Sequence, residues 1–446
     1  MKKIVSLILA LVMVLSLCAC ANSQGDTQPD ATVAGNDEVV QDKPYAGTTI
    51  NVITCNNAAT RMAVEYLDEF EAETGIKVNI EIYEPTDAIQ KVAVNAAANG
   101  SGVDVFGYRP IQESLSYEQN GWFIPLDDYI AASEGYDYED FFASARDATT
   151  GKDGKIYGIP YLVEGEIIYV NTEIFESLGL EKYPETLDEL LEYCEKAYNP
   201  AKNQYGIALR GEGNQAVTQF SGFLYAFGGN FIDYDTMTAT MNTPEALAAL
   251  EYYAELLKFG PDGITSANLS DSQTYFKQGL TLFRIDAYSQ NPITVDPEQS
   301  LVWDKVDYAL FPAGKNGVTP YNITAWAWAI SSTSKNQDAA WEFIEWVSGK
   351  EQDIRAAQDG GFGARTSTWA NEDAMANIPE KLAEVVQKTG ELGYDLDRPL
   401  CFNAAEVRAI VGEMIDAANS GMRGDELKSF VETKNAEIQA ILDTEK

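Results

Sequence analysis

No histidine occurs among the 446 residues, and that absence decides much of the chemistry open to this chain. Ser–His and Cys–His nucleophile systems and the usual zinc ligand sets all need an imidazole. Carboxylates are plentiful, with 69 Asp and Glu against 31 Lys and Arg. Hydrolysis by a carboxylate pair therefore stays open, although no two acids are marked out as acid and base. One stretch stands apart: residues 155–171 read K-I-Y-G-I-P-Y-L-V-E-G-E-I-I-Y-V-N. The β-type runs 155–159 and 167–170 flank a polar break that carries Pro160, Tyr161, Glu164 and Gly165. Such a segment suits a chain that crosses between two lobes and offers side chains to a cleft. An ordinary hairpin with a solvated glutamate fits the same spacing.

Elements must hold these groups, and the first hundred residues of the folded region predict how. Residues 48–54 read as a buried strand, and Cys55-Asn56-Asn57 turns into a helix with Ala63, Leu67 and Phe70 on its apolar face and Gly75 as its stop. A strand at 77–83, a helix at 86–99 and a strand at 103–108 follow. Strand–helix–strand at these lengths argues for a parallel sheet with right-handed crossovers. Ligands in such sheets sit beyond the strand C-termini, where this chain has Asn56, Asn57, Glu84, Tyr108 and Arg109, with Asp104 inside the third strand. Further on, Thr186 and Glu189 form a capping box for a helix whose Leu187, Leu190, Leu191 and Cys194 share a face. A strand at 205–209 ends in Arg210, a solvated or ion-paired arginine that is also suited to vicinal hydroxyls. Thr243-Pro244 starts another helix. The run 281–286, T-L-F-R-I-D, is expected to return a strand to the first lobe. Strands at 306–312 and 325–332 and a helix at 334–349 follow. Alternation places Trp326 and Trp328 on one face, where they read as core. Beyond 350 the chain reads as helical except for the glycine-rich break 359–365, where backbone can approach a ligand or a hinge can move.

The formal net charge is -38, which repels nucleic acid and anionic lipid surfaces. The length allows two substantial lobes. Met1-Lys2-Lys3 and the apolar run 4–17 have the shape of a secretory signal. Leu17-Cys18-Ala19-Cys20 resembles the lipobox of bacterial lipoproteins, with Cys20, which follows a small residue, as the acylated position. The polar stretch 21–45 reads as a flexible tether. Cys55, Cys194 and Cys401 remain; their spacing matches no metal motif and implies no disulfide framework. No metal, cofactor or transmembrane helix is expected in the mature chain.

The ordered landmarks carry a resemblance. Asp153-Gly154-Lys155-x-Tyr157-Gly158-x-Pro160, Glu164, Tyr169-x-Asn171, Thr243-Pro244-Glu245-Ala246, Phe276-x-x-Gly279, Phe311-Pro312-x-Gly314 and Ser332-x-Ser334-Lys335 recur in one order from about residue 46 to at least 370. In that set the chain resembles the extracellular solute-binding proteins of sugar-importing ABC transporters. The segments 205–211, 260–263 and 284–286 look most like members that take polyols or small oligosaccharides. The resemblance implies an α/β, two-lobed, periplasmic-binding-protein-like fold of type II with hinge crossovers and a ligand cleft between the lobes. The expected segments are a signal peptide at 1–19, a lipidated cysteine and tether at 20–45, lobe 1 from 46–163 plus 281–330, and lobe 2 from 164–280 plus 331–446. It implies no catalysis, a carbohydrate ligand, and docking of a lipid-anchored monomer on an extracellular membrane face against permease subunits driven by a cytoplasmic ATPase. Sugars present polar edges and apolar C–H faces, so stacking falls to Tyr161, Tyr288 and Trp326. Hydrogen bonding falls to Asp104, Glu164, Arg210, Asp286 and Arg365, alongside the strand-end residues Asn56, Glu84, Tyr108 and Arg109. A secreted glycosidase and a peptide or metal-chelate receptor are the rival readings.

Overall fold

The computed structural model describes residues 43–98, 100, 102–314, 323–392 and 398–445; the expected signal peptide, Cys20 and nearly all of the tether lie outside them. In chain order the strands are β1 (Thr49–Cys55), β2 (Lys77–Tyr83), β3 (Val105–Tyr108), β4 (Ile159–Asn171), β5 (Tyr205–Ala208), β6 (Ile232–Asp233), β7 (Thr238–Ala239), β8 (Thr281–Ala287), β9 (Val306–Ala309) and β10 (Ile323–Ile330). One sheet runs β2-β1-β3-β10-β4-β8-β5, with β9 also paired to β4, while β6 and β7 form a separate hairpin. β1 lies parallel to both β2 and β3, as the strand–helix–strand spacing requires. Strands covered on both faces read as near-continuous apolar runs, and V-F-G-Y of β3 is buried throughout.

β4 is 13 residues long and serves both halves of the sheet. Its first part pairs with β10, Ile159 beside Trp328 and Gly165 beside Ile323. Its last part pairs with β8 and β9, Ile168 lying beside Ile285 and Ala309. The polar break expected at 160–165 is thus strand, and 155–158, expected as strand, is not. Trp326 opposes Leu162 and Ala327 opposes Pro160, so Tyr161 is the extra residue of a bulge. The missing N–H of Pro160 falls at this irregularity, where a ladder tolerates it.

Successive side chains of a strand point to opposite faces, and the end of β4 uses both. Ile167 and Tyr169 join a core that contains Val52, Val105, Phe106, Trp328 and Phe343, whereas Ile168 and Val170 join a second core with Phe220, Phe223, Leu250, Phe283 and Met414. These cores and the strand pairing correct the expected segments. β8 lies between β4 and β5 and does not return to the half that holds β1 and β3. Helix Gln337–Val347, expected in the second lobe, packs on β10, with Phe343 edge-on to both Trp328 and Phe70. The reason is the length of β4: it offers β8 an antiparallel partner beyond the crossing.

Local signals place the helices. Asn57 caps helix Ala58–Glu65 by accepting from Thr60 N at 3.0 Å. The helix expected to continue to Gly75 is broken at Tyr66, and a second one, Leu67–Thr74, ends at Gly75 with φ +73°. The capping box of Thr186 and Glu189 is formed, and Thr243 caps helix Pro244–Leu257. Among the described residues no helix is long and apolar enough to cross a membrane.

Candidate functional site

The strand registers bring two rows of C-terminal ends to the middle of β4. Cys55 lies beside Tyr83, Tyr108 beside Ala327, and Trp326 beside Leu162. One rim therefore carries Asn56, Glu84, Arg109, Trp326 and Glu164. In the other half Ala208 lies beside Arg284, and Asp286 beside Ile167. The second rim therefore carries Arg210, Asp286 and Glu166. The two meet across Gly165, with Glu164 and Glu166 on either side of it.

On the first rim Arg109 donates from Nη2 to Glu113 Oε1 at 2.6 Å, and its backbone N–H donates to Glu113 Oε2 at 2.8 Å. Its guanidinium lies 5.6 Å from the Trp326 ring centroid, a cation–π contact that fixes both groups. Asn56 and Glu84 are exposed. Glu84 occupies the N-cap position of helix Pro85–Ala97 without a side-chain cap bond. Ser289 donates its hydroxyl proton to Glu164. Burial pushes the Cys55 thiol up to about 11; Glu164 adds to that push and Arg109 opposes it, so all three share one electrostatic neighbourhood.

On the second rim Arg210 donates from Nη2 to Asp286 Oδ1 at 2.6 Å, and Arg284 donates from Nη2 to Asp286 Oδ2 at 2.7 Å. Burial alone would raise the Asp286 carboxyl, but the two guanidiniums outweigh it and hold the group below the usual carboxylate range. Glu166 is buried and acts electrostatically on Arg210. Tyr288 is buried, donates to the Val163 carbonyl at 2.7 Å, and meets Phe362 edge-on at 4.8 Å.

Sequence reasoning thus named several groups that share this place and several that do not. Asn56, Glu84, Arg109, Glu164 and Arg210 lie at the rims, with Trp326, Asp286 and Tyr288 buried beside them. Asp104 lies at the opposite end of β3, where it accepts from Asn51 N at 2.9 Å and Ser334 Oγ at 2.6 Å. The four residues of β3 lie between it and Arg109, five steps along the strand or roughly 16 Å. Tyr108 is interior, stacked on Tyr117 with centroids 5.9 Å apart. The Tyr161 ring, re-aimed by the bulge, lies against Trp328 with centroids 4.5 Å apart and is buried, so it offers no open stacking face. Arg365 is fully buried and donates to the carbonyls of Ser348 at 2.8 Å and Asp137 at 2.9 Å. It ties segments together and does not reach a rim.

Glu166, Ser289, Gln219 and Arg284 were missed. Glu166 and Arg284 carried a signal, each standing two residues from a named acid on the same strand face; Gln219, inside the apolar helix Gly213–Ala226, carried none. A concavity of about 510 Å³ lined by Gly228, Asn230, Asp233, Tyr234, Thr243 and Glu245 sits at the β6–β7 hairpin and contains none of the rim residues.

Residues 58–354 match the sequence model of the family described as bacterial extracellular solute-binding protein. The chain is similar to the erythritol/L-threitol-binding protein of Mycolicibacterium smegmatis, 26% identical over 336 residues that cover 71% of this chain and 69% of that one. It is also similar to the mannitol-binding protein of Pseudomonas aeruginosa, 26% identical over 342 residues that cover 74% of this chain and 77% of that one. Its fold superposes with a TM-score of 0.76 on a solved ABC transporter solute-binding protein from Agrobacterium vitis S4 with bound D-mannitol, at 26% identity, covering 89% of this chain and 99% of that one.

Proposed function

Because this chain belongs to the family of bacterial extracellular solute-binding proteins, we propose that it captures a polyol or small oligosaccharide outside the cell and delivers it to an ABC importer. The observation that supports this best is the pair of strand-end rims that meet on β4 with donors and acceptors on both sides. Three guanidiniums, those of Arg109, Arg210 and Arg284, stand against the five carboxylates of Glu84, Glu113, Glu164, Glu166 and Asp286. A site of this kind, rich in donors and acceptors and acidic on balance, suits hydroxyls, which both donate and accept, and disfavours anions. The erythritol-, threitol- and mannitol-binding relatives take ligands of that chemistry.

In this reading Asn56, Glu84, Arg109 and Glu164 meet the ligand from one lobe, with the buried Trp326 beneath them, and Arg210 meets it from the other. Asp286 and Tyr288 support the site from beneath. Lobe 1 comprises the β1–β3 and β10 half with helix Gln337–Val347, and lobe 2 the β5, β8 and β9 half. A ligand that touches both rims favours the closed form by the difference in contacts between closed and open forms. Cys20 anchors the monomer to the extracellular face of the membrane, and permease subunits with a cytoplasmic ATPase complete the importer. Members of this family bind solutes, so the glycosidase reading drops out.

Trp326, buried beneath the rim against Arg109, supplies the test. Intrinsic tryptophan fluorescence of the purified chain, titrated with erythritol, D-mannitol and maltotriose, should change saturably with at least one. No response to any carbohydrate would sink the proposal.

A further inference from the structure

We propose that Arg210 decides which carbohydrates are accepted, by holding a pair of adjacent uncharged hydroxyls, and that Asp286, Arg284 and Gln219 are positioning residues for its guanidinium. The inference rests on reading the rims as a carbohydrate site.

The backbone of Arg210 is fixed on both sides. Its N–H donates to Gln219 Oε1 at 2.7 Å, and its carbonyl accepts from the Tyr253 hydroxyl at 2.6 Å. The side chain is clamped by Asp286 Oδ1 at 2.6 Å. Asp286 itself accepts from Arg284 Nη2 at 2.7 Å, Gln219 Nε2 at 3.2 Å and its neighbour Ala287 N at 2.9 Å. With the Arg210 bond that makes four acceptances, about the capacity of a carboxylate, on a side chain with no exposure. Asp286 thus has no room for a ligand hydroxyl and acts through Arg210.

The Arg210 side chain keeps 13% exposure, yet its Nε is buried without a hydrogen-bond partner among the described residues. Arg284 Nε is likewise buried without a partner among the described residues, but the Arg284 side chain has no exposure, so of the two only Arg210 can be reached from the cleft. Buried N–H groups left without an acceptor are rare. A donor held rigidly at a rim in that state is matched by an acceptor that arrives with the ligand. A guanidinium presents its N–H donors in a planar fork, which fits two oxygens on neighbouring atoms. Carboxylates and phosphates fit the same fork, but Asp286 and Glu166 already offset the charges of Arg210 and Arg284. The ligand chemistry that remains is a neutral vicinal diol. A site built around a buried donor rejects an analogue that lacks the oxygen far more strongly than an apolar pocket would.

Calorimetric titration of the intact chain with erythritol and D-mannitol, and with monodeoxy analogues of whichever binds, tests the assignment. Arg210→Lys keeps the charge and the Asp286 pair but loses the fork. It should weaken binding on the order of 10- to 100-fold and shrink the discrimination against the deoxy analogue, with its unfolding midpoint near that of the parent. Asp286→Asn should weaken binding comparably, and the double variant should lose no more than either single one, the signature of residues acting as a unit. Unchanged affinity and discrimination in Arg210→Lys would overturn the assignment, and this arm decides even if Asp286→Asn fails to fold. An Asp286→Asn chain that is less stable but binds like the parent would overturn the positioning role. If the parent chain binds neither polyol nor maltotriose, the carbohydrate reading itself fails, and this inference with it.

Discussion

Arg365 donates to backbone carbonyls of Ser348, Asp137 and Tyr136 and lies 3.4 Å from Asp140, with the face of Phe141 3.9 Å away. Nothing about that environment involves a ligand, so its removal is a stability experiment. Arg365→Met should cost about 3–5 kcal/mol in urea unfolding, because Asp140 and three carbonyls lose their buried partner. Carbohydrate affinity of the folded fraction should stay at the parent value. Asp286 makes a pH prediction. Its folded-state pKa is depressed, so its contribution is fully present above the ordinary Asp value of about 3.9 and is lost as pH falls through the lower folded-state value. Unfolding midpoints of the parent and of Asp286→Asn should differ by a constant amount from pH 7 down to about pH 5. They should converge only at more acid pH; convergence already near neutral pH would contradict the depressed pKa. Residue types at the rims were legible because strand ends were. Their surroundings were not, since Arg365 and Arg210 are both arginines in glycine-containing stretches. Their partners Asp140 and Asp286 lie 225 and 76 residues away in the chain.

At the level of elements, the ends of β1 and β2 were readable because each apolar run stops at turn or capping residues. Asn57, Thr186 and Thr243 likewise marked helix starts by a local hydrogen bond. β4 was misread because Y-L-V-E-G-E neither alternates nor runs apolar. Only the ladders to β10 and β8, formed by residues more than a hundred positions away, make it strand. The same limit hid the side of the sheet on which β8 lies. Close approach between elements yields a further prediction. A Cβ at Gly206 in β5 would lie 2.5 Å from both the Cα and the carbonyl oxygen of Cys194. Gly206→Ala must push helix Leu187–Ala197 off the strand that ends at Arg210, at a cost of about 1–3 kcal/mol. The urea midpoint should fall accordingly, and an unchanged midpoint would show that the helix gives way freely.

The whole molecule is two halves of a sheet that share one strand, each half with strand ends turned toward that strand's middle. Two hydrophobic cores meet on opposite faces of β4, so a change of angle between the halves need not unpack either interior. The net charge of -38 keeps such a body soluble and away from anionic surfaces. Small-angle X-ray scattering of the purified chain, alone and saturated with the carbohydrate that gives the strongest fluorescence response, tests the clamp most directly. The account predicts a smaller radius of gyration with ligand, because contacts to both rims draw the halves together. Saturable binding with an unchanged radius of gyration would contradict it.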